Sequence, residues 1–111
     1  MLAACAPVVQ KKEAFVVSAV VVRNDYLGVM EVYAITGSIR TRIGAVATGT
    51  TATFPIPRYL LMRPEIQFQV DPVGPVAPFT YPPIPVEPTN VIELSVAPTL
   101  QMSSYAIVFN R

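Results

Sequence analysis

Proline sets the first limit on what this chain can fold into. Of its 111 residues 12 are proline, and all except Pro7 fall from Pro55 onward. Proline lacks a backbone donor and clashes with the preceding helical turn, so it breaks helix interiors and is confined to the edges and turns of sheets. In the proline-poor half, the limit comes from abundant Val, Ile and Thr. These β-branched side chains lose rotamer freedom in a helix and pack well on a pleated surface. No window of a dozen residues is free of breakers and also carries a 3.6-residue apolar period. The chain is expected to be all-β.

The strand pattern can be followed along the sequence. Residues 15–23 form a nearly continuous apolar run of strand length, as expected for a strand covered on both sides. Residues 24–28, Asn-Asp-Tyr-Leu-Gly, supply turn chemistry, with side chains that bond local backbone followed by a glycine. Strands are expected over 29–35, 39–46 and 50–56. In the second of these Ile39, Thr41 and Ile43 alternate with Arg40 and Arg42, which places both arginines on the solvated face. Residues 58–64 fit a single helical turn or an apolar crossover closing one end of the core. Ile66, Phe68 and Val70 alternate with Glu65, Gln67, Gln69 and Asp71, the clearest half-buried strand in the chain. Residues 76–88 are rich in proline, with Phe79, Tyr81, Ile84 and Val86 between the prolines. Such a segment is extended and suits a sheet edge, where missing donors cost little. Strands at 90–96 and 105–109 complete the set. Residues 1–13 are expected to be a tether and 14–111 a single domain.

Seven short strands separated by turns predict a seven-stranded antiparallel β-sandwich. In strand number and length the pattern resembles the immunoglobulin-like class. It departs from the antibody type in having no tryptophan, and its one cysteine, Cys5, lies outside the expected domain. A small β-barrel, with the 79–86 segment counted as an eighth strand, is the alternative.

Several chemistries are excluded by residue type. The chain contains no histidine, which removes Ser-His and Cys-His nucleophilic pairs and the commonest metal ligand together. One cysteine without histidine cannot build the usual zinc site. The carboxylates Glu13, Asp25, Glu31, Glu65, Asp71, Glu87 and Glu93 are dispersed, and the five glycines are isolated, so neither a calcium loop nor a phosphate-cradling loop is written here. A net charge of +1 leaves no electrostatic footprint for nucleic acid. No enzymatic activity and no cofactor are expected. The candidate interaction surface is formed by Tyr59, Leu61, Phe79 and Tyr81, apolar residues in expected loops or an irregular strand, with Arg40 and Arg42 as a possible anionic subsite. The bland alternatives are that the aromatics cap the core and that the arginines oppose carboxylates across the sheet.

Leu2-Ala3-Ala4-Cys5 resembles a bacterial lipobox, in which an aliphatic and two small residues precede a cysteine that becomes acylated. The basic and apolar body of a signal peptide is expected upstream of Leu2. The competing reading is a free cysteine preceded by Leu-Ala-Ala by chance. The resemblance implies lipidation at Cys5, a short tether, and a domain held in the bacterial cell envelope, on the outer membrane or facing the periplasm. The expected function is that of a non-catalytic envelope lipoprotein whose sandwich contacts another envelope protein. The alternative is a glycan- or peptide-binding module using the loop aromatics.

Overall fold

The computed structural model describes residues 18–62, 65–85 and 90–109. Cys5, the tether, Ala14, residues 15–17 of the expected first strand, and Val86 lie outside the described residues. The chain forms β1 (Ala19–Asn24), β2 (Met30–Thr36), β3 (Ile39–Val46), β4 (Thr50–Pro55), β5 (Gln67–Pro72), β6 (Phe79–Thr80), β7 (Asn90–Val96) and β8 (Ser104–Phe109). Short 3₁₀ turns at Arg58–Met62 and Leu100–Met102 precede β5 and β8.

Two four-stranded sheets result, ordered β4-β1-β7-β8 and β3-β2-β5-β6. The fold is all-β, as the sequence predicts. The strand count is eight, not seven, because the proline-rich segment contributes β6. Phe79 and Thr80 pair with Val70 and Gln69 before Pro82 and Pro83 interrupt the ladder, and a single bridge from Ile84 to Ile66 continues the edge. The barrel alternative is overturned, since the two sheets remain separate.

The inner faces follow the period of two. Val20 and Val22, Met30, Val32 and Ala34, Phe68 and Val70, and Ile92, Leu94 and Val96 are all buried between the sheets. Two inward assignments need correction. The outer face of β1 is only half buried at Ala19 and Val21, so β1 is central in its sheet but covered fully on one side. Ile39 is exposed, because it begins β3, an edge strand at the end of the ladder.

Most ladders are antiparallel, but β1 and β7 run parallel, with Ala19 opposite Val91 and Asn24 opposite Val96. The molecule therefore has two poles. At the entry pole β1 begins, β4 ends and the Arg58–Met62 turn carries the chain from the first sheet to the second. Leu60 plugs that end of the core. At the far pole the connections 25–29, 47–49, 73–78 and 97–103 gather around Asn24. This buried amide donates to Gly28 O at 2.9 Å and Val46 O at 3.0 Å and accepts from Tyr26 N at 3.0 Å. The Asn24 carbonyl accepts from Gly49 N at 2.7 Å, and the Thr48 hydroxyl donates to Tyr26 O. The local turn chemistry expected of residues 24–28 is present and reaches further than expected, into the β3–β4 turn.

Candidate interaction surface

The six residues expected to form a surface are dispersed. Tyr59 and Leu61 sit in the entry-pole turn, where Tyr59 is 62% exposed and Leu61 packs partly against the core. Phe79 lies on β6, half buried. Tyr81 is a core residue with 1% of its surface exposed, so its place in an interaction surface is corrected. Its ring meets Phe79 edge-on at 4.9 Å and Tyr105 at 6.3 Å, and its hydroxyl donates to Ser95 O at 3.1 Å. It spans the gap between the sheets beside β6, a place where a two-residue strand leaves space for a large side chain. Burial pushes its phenol up to about 12, against a smaller opposing effect of the Ser103 hydroxyl.

Arg40 and Arg42 lie on the outer face of the second sheet, where the alternation places them. Arg40 stacks over the Tyr33 ring at 3.5 Å, donates from Nε to Gln69 Oε1 at 2.8 Å, and reaches Asp71 at 3.3 Å. The Tyr33 hydroxyl donates to Glu31 at 2.7 Å, and this bond raises its phenol. Arg42 Nε lies 4.0 Å from the same Glu31 oxygen. Both arginines are thus engaged across the sheet by carboxylates, and an anion would have to displace those partners. Exposed pairs of this kind contribute little to stability, but they set the character of the face as polar and internally neutral.

The edges of the sheets differ from one another. Natural sheets blunt an edge with charge, proline, a bulge or brevity, because an unpaired ladder recruits other strands. The β3 edge carries Arg40 and Arg42 and a register shift between Val32 and Tyr33. The β4 edge ends in Pro55, and β6 is two residues long between prolines. β8, Ser-Tyr-Ala-Ile-Val-Phe, pairs with β7 on one side and has no ladder partner on the other among the described residues. It holds no charge, no proline and no bulge. Register with β7 sets Tyr105 and Ile107 on the inner face beside Leu94 and Ile92, and Ala106 and Val108 on the outer face beside Glu93 and Val91. Tyr105 and Val108 are 39% and 41% exposed. The inner face is only partly covered: Tyr105 meets the Tyr81 ring edge-on and Ile107 packs partly against the core.

A cleft of about 330 Å³ lies at the far pole, lined by Tyr26, Val76, Ala77, Pro98, Thr99, Leu100 and Gln101. No charged side chain lines it.

Neither the β8 edge nor this cleft is among the expected site residues. The signal for the edge was present as a six-residue run without charge or proline. What was missing was its position, since only the sheet order makes it an edge. No family model, curated protein or solved structure matches the chain.

Proposed function

We propose that this protein is a non-catalytic interaction module that binds a partner strand on the β8 edge, delivered to the bacterial envelope by acyl chains on Cys5. The observation that carries the reading is the ladder of Ser104–Phe109, which among the described residues has no partner on its outer side and, unlike the other three edges, has neither charge, proline nor brevity to blunt it. Strand addition draws affinity from main-chain hydrogen bonds and specificity from alternate side chains, here Tyr105 and Ile107 on one face and Ala106 and Val108 on the other. We read the two-sheet arrangement as immunoglobulin-like in the broad sense. The anchor rests on Leu2-Ala3-Ala4-Cys5 alone, and two or more acyl chains hold a protein stably on a bilayer.

The test is a photo-crosslinking amino acid at Val108 or at Tyr59 in the cell that makes the chain. An adduct from position 108 and none from 59 supports the edge, whereas adducts from 59 alone reject it. Alkynyl fatty acid incorporated by the chain and lost in Cys5→Ser supports the anchor. Unlabelled protein refutes it.

A second reading has the far-pole cleft take a small neutral ligand, a glycan or an apolar peptide side chain, against Tyr26. Saturable thermal stabilisation by such a ligand, abolished in Tyr26→Ala, is the outcome that would establish it.

A further inference from the structure

We infer that the strand received by the β8 edge is β8 of a second copy, giving a two-fold dimer with one continuous eight-stranded sheet, β4-β1-β7-β8-β8-β7-β1-β4. The inference rests on the edge reading above and names its partner.

The edge itself defines what fits it. A strand added to β8 finds no charge to pair with and no proline to avoid, and it meets apolar side chains on both faces. The matching strand is uncharged, about six residues long, β-branched or aromatic, and able to offer an unbroken ladder. Ser104–Phe109 is itself uncharged, six residues long, free of proline, and β-branched or aromatic at four of its six positions. An antiparallel pair about a two-fold axis perpendicular to the sheet sets residues of the same parity opposite one another. With the axis at Ala106, Tyr105 faces Ile107 on the inner side and Ser104 faces Val108 on the outer. Apolar faces therefore stay together, as an isologous contact requires.

Electrostatics permits the pairing. Among the described residues, the charged side chain that the register places beside β8 on the outer face is Glu93 of β7, opposite Ala106. In the joint sheet the two copies of Glu93 stand three strand spacings apart, about 14 Å, beyond the roughly 8 Å screening length at physiological salt. The same pairing through β3 would set Arg40 and Arg42 against their own copies. A six-residue ladder is small against the roughly 1,200 Å² at which stable interfaces begin, so the dimer forms reversibly at high protein concentration.

Sedimentation equilibrium of the full chain carrying Cys5→Ala, which removes any disulfide dimer, tests this. The expected result is a monomer–dimer equilibrium over concentrations up to about 500 µM, the regime of a small interface. Ala106→Lys and Val108→Lys should each weaken it by roughly tenfold or more while leaving the thermal midpoint of the monomer unchanged. Thr53→Lys, on the exposed face of the β4 edge, should leave the dimer intact. A monomer throughout the range, or a dimer indifferent to both β8 lysines, overturns the inference. The crosslink from position 108 separates this failure from that of the edge reading. An adduct with a different protein keeps the edge and removes self-pairing. A link within one chain, from 108 to residues before Ser18, removes both.

Discussion

Asn24 joins three stretches of backbone through one buried amide, and all of its polar atoms are engaged: Nδ2 with Gly28 O and Val46 O, Oδ1 with Tyr26 N. Replacing it with alanine leaves two carbonyls and an N–H short of a partner inside the far pole, a loss that typically costs about 1–3 kcal/mol per buried site. Asn24→Ala is therefore expected to lower the denaturation midpoint by the equivalent of about 2–3 kcal/mol with an unchanged denaturant slope. Tyr81 makes a second residue-scale prediction. Its phenol is held neutral to about 12 in the folded state, while an unfolded tyrosine ionises near 10. Above pH 10 the unfolded chain releases a proton that the folded chain retains, so stability falls as pH rises from about 10 to 12 and is complete below that window. Two units correspond to roughly 3 kcal/mol. In Tyr81→Phe the decline in melting temperature over this window should be shallower than in the parent protein, and an equally steep decline would count against the assignment.

Among the elements, β3 and β4 show how a strand changes sheets. Residues 47–49 carry the chain from one sheet to the other, with Gly49 at φ +75°, a left-handed conformation that suits glycine. Just before the turn, Gly44 faces the ring of Phe54, and a Cβ at that position would stand 2.4 Å from Phe54 Cε1. The close approach of the two strands at this corner depends on the absent side chain. Gly44→Ala is expected to destabilise by about 1–3 kcal/mol through overpacking. Combined with Phe54→Leu, its cost should be smaller than when made alone, a coupling that a double-mutant cycle measures. The alternation in 39–46 was readable in the sequence for Arg40 and Arg42. The register shift after Val32 that displaces Ile43 and Gly44 was not, because it arises from contact with β2 and β4 and not from the local period.

The architecture of the whole molecule is decided by β1 lying between β4 and β7. The first strand pairs in parallel with one some 70 residues later in sequence, Val20 with Ile92 and Val22 with Leu94, and this long-range ladder holds the first sheet together. Long loops must close before that pairing is rewarded, so folding on the millisecond-to-second scale is expected, as for other sandwiches. Hydrogen exchange should follow the sheet order. The slowest amides are expected in the central strands β1, β2, β5 and β7, and the fastest strand amides in β6. β8 should show alternate amides exchanging quickly in dilute solution, where its outer ladder has no partner among the described residues, and more slowly at high concentration. Uniform protection along β8 when dilute would show that its outer side is already covered.

Proline placement, β-branched content and the period of two were enough to determine an all-β chain, its strand positions to within a few residues, and the inner faces of β5 and β7. These are local properties, set by backbone sterics and by which side of a pleat each residue occupies. The same reading marked the proline-rich segment as an edge and placed both arginines in solvent. It left Tyr81 between an interaction surface and a cap on the core, because what buries that ring is the gap beside β6, made by residues distant in sequence. Nor did it show that Ser104–Phe109 is an edge. A strand with one neighbour and a strand with two obey the same local rules, and only the assembled order of the sheet decides which ladder is left open.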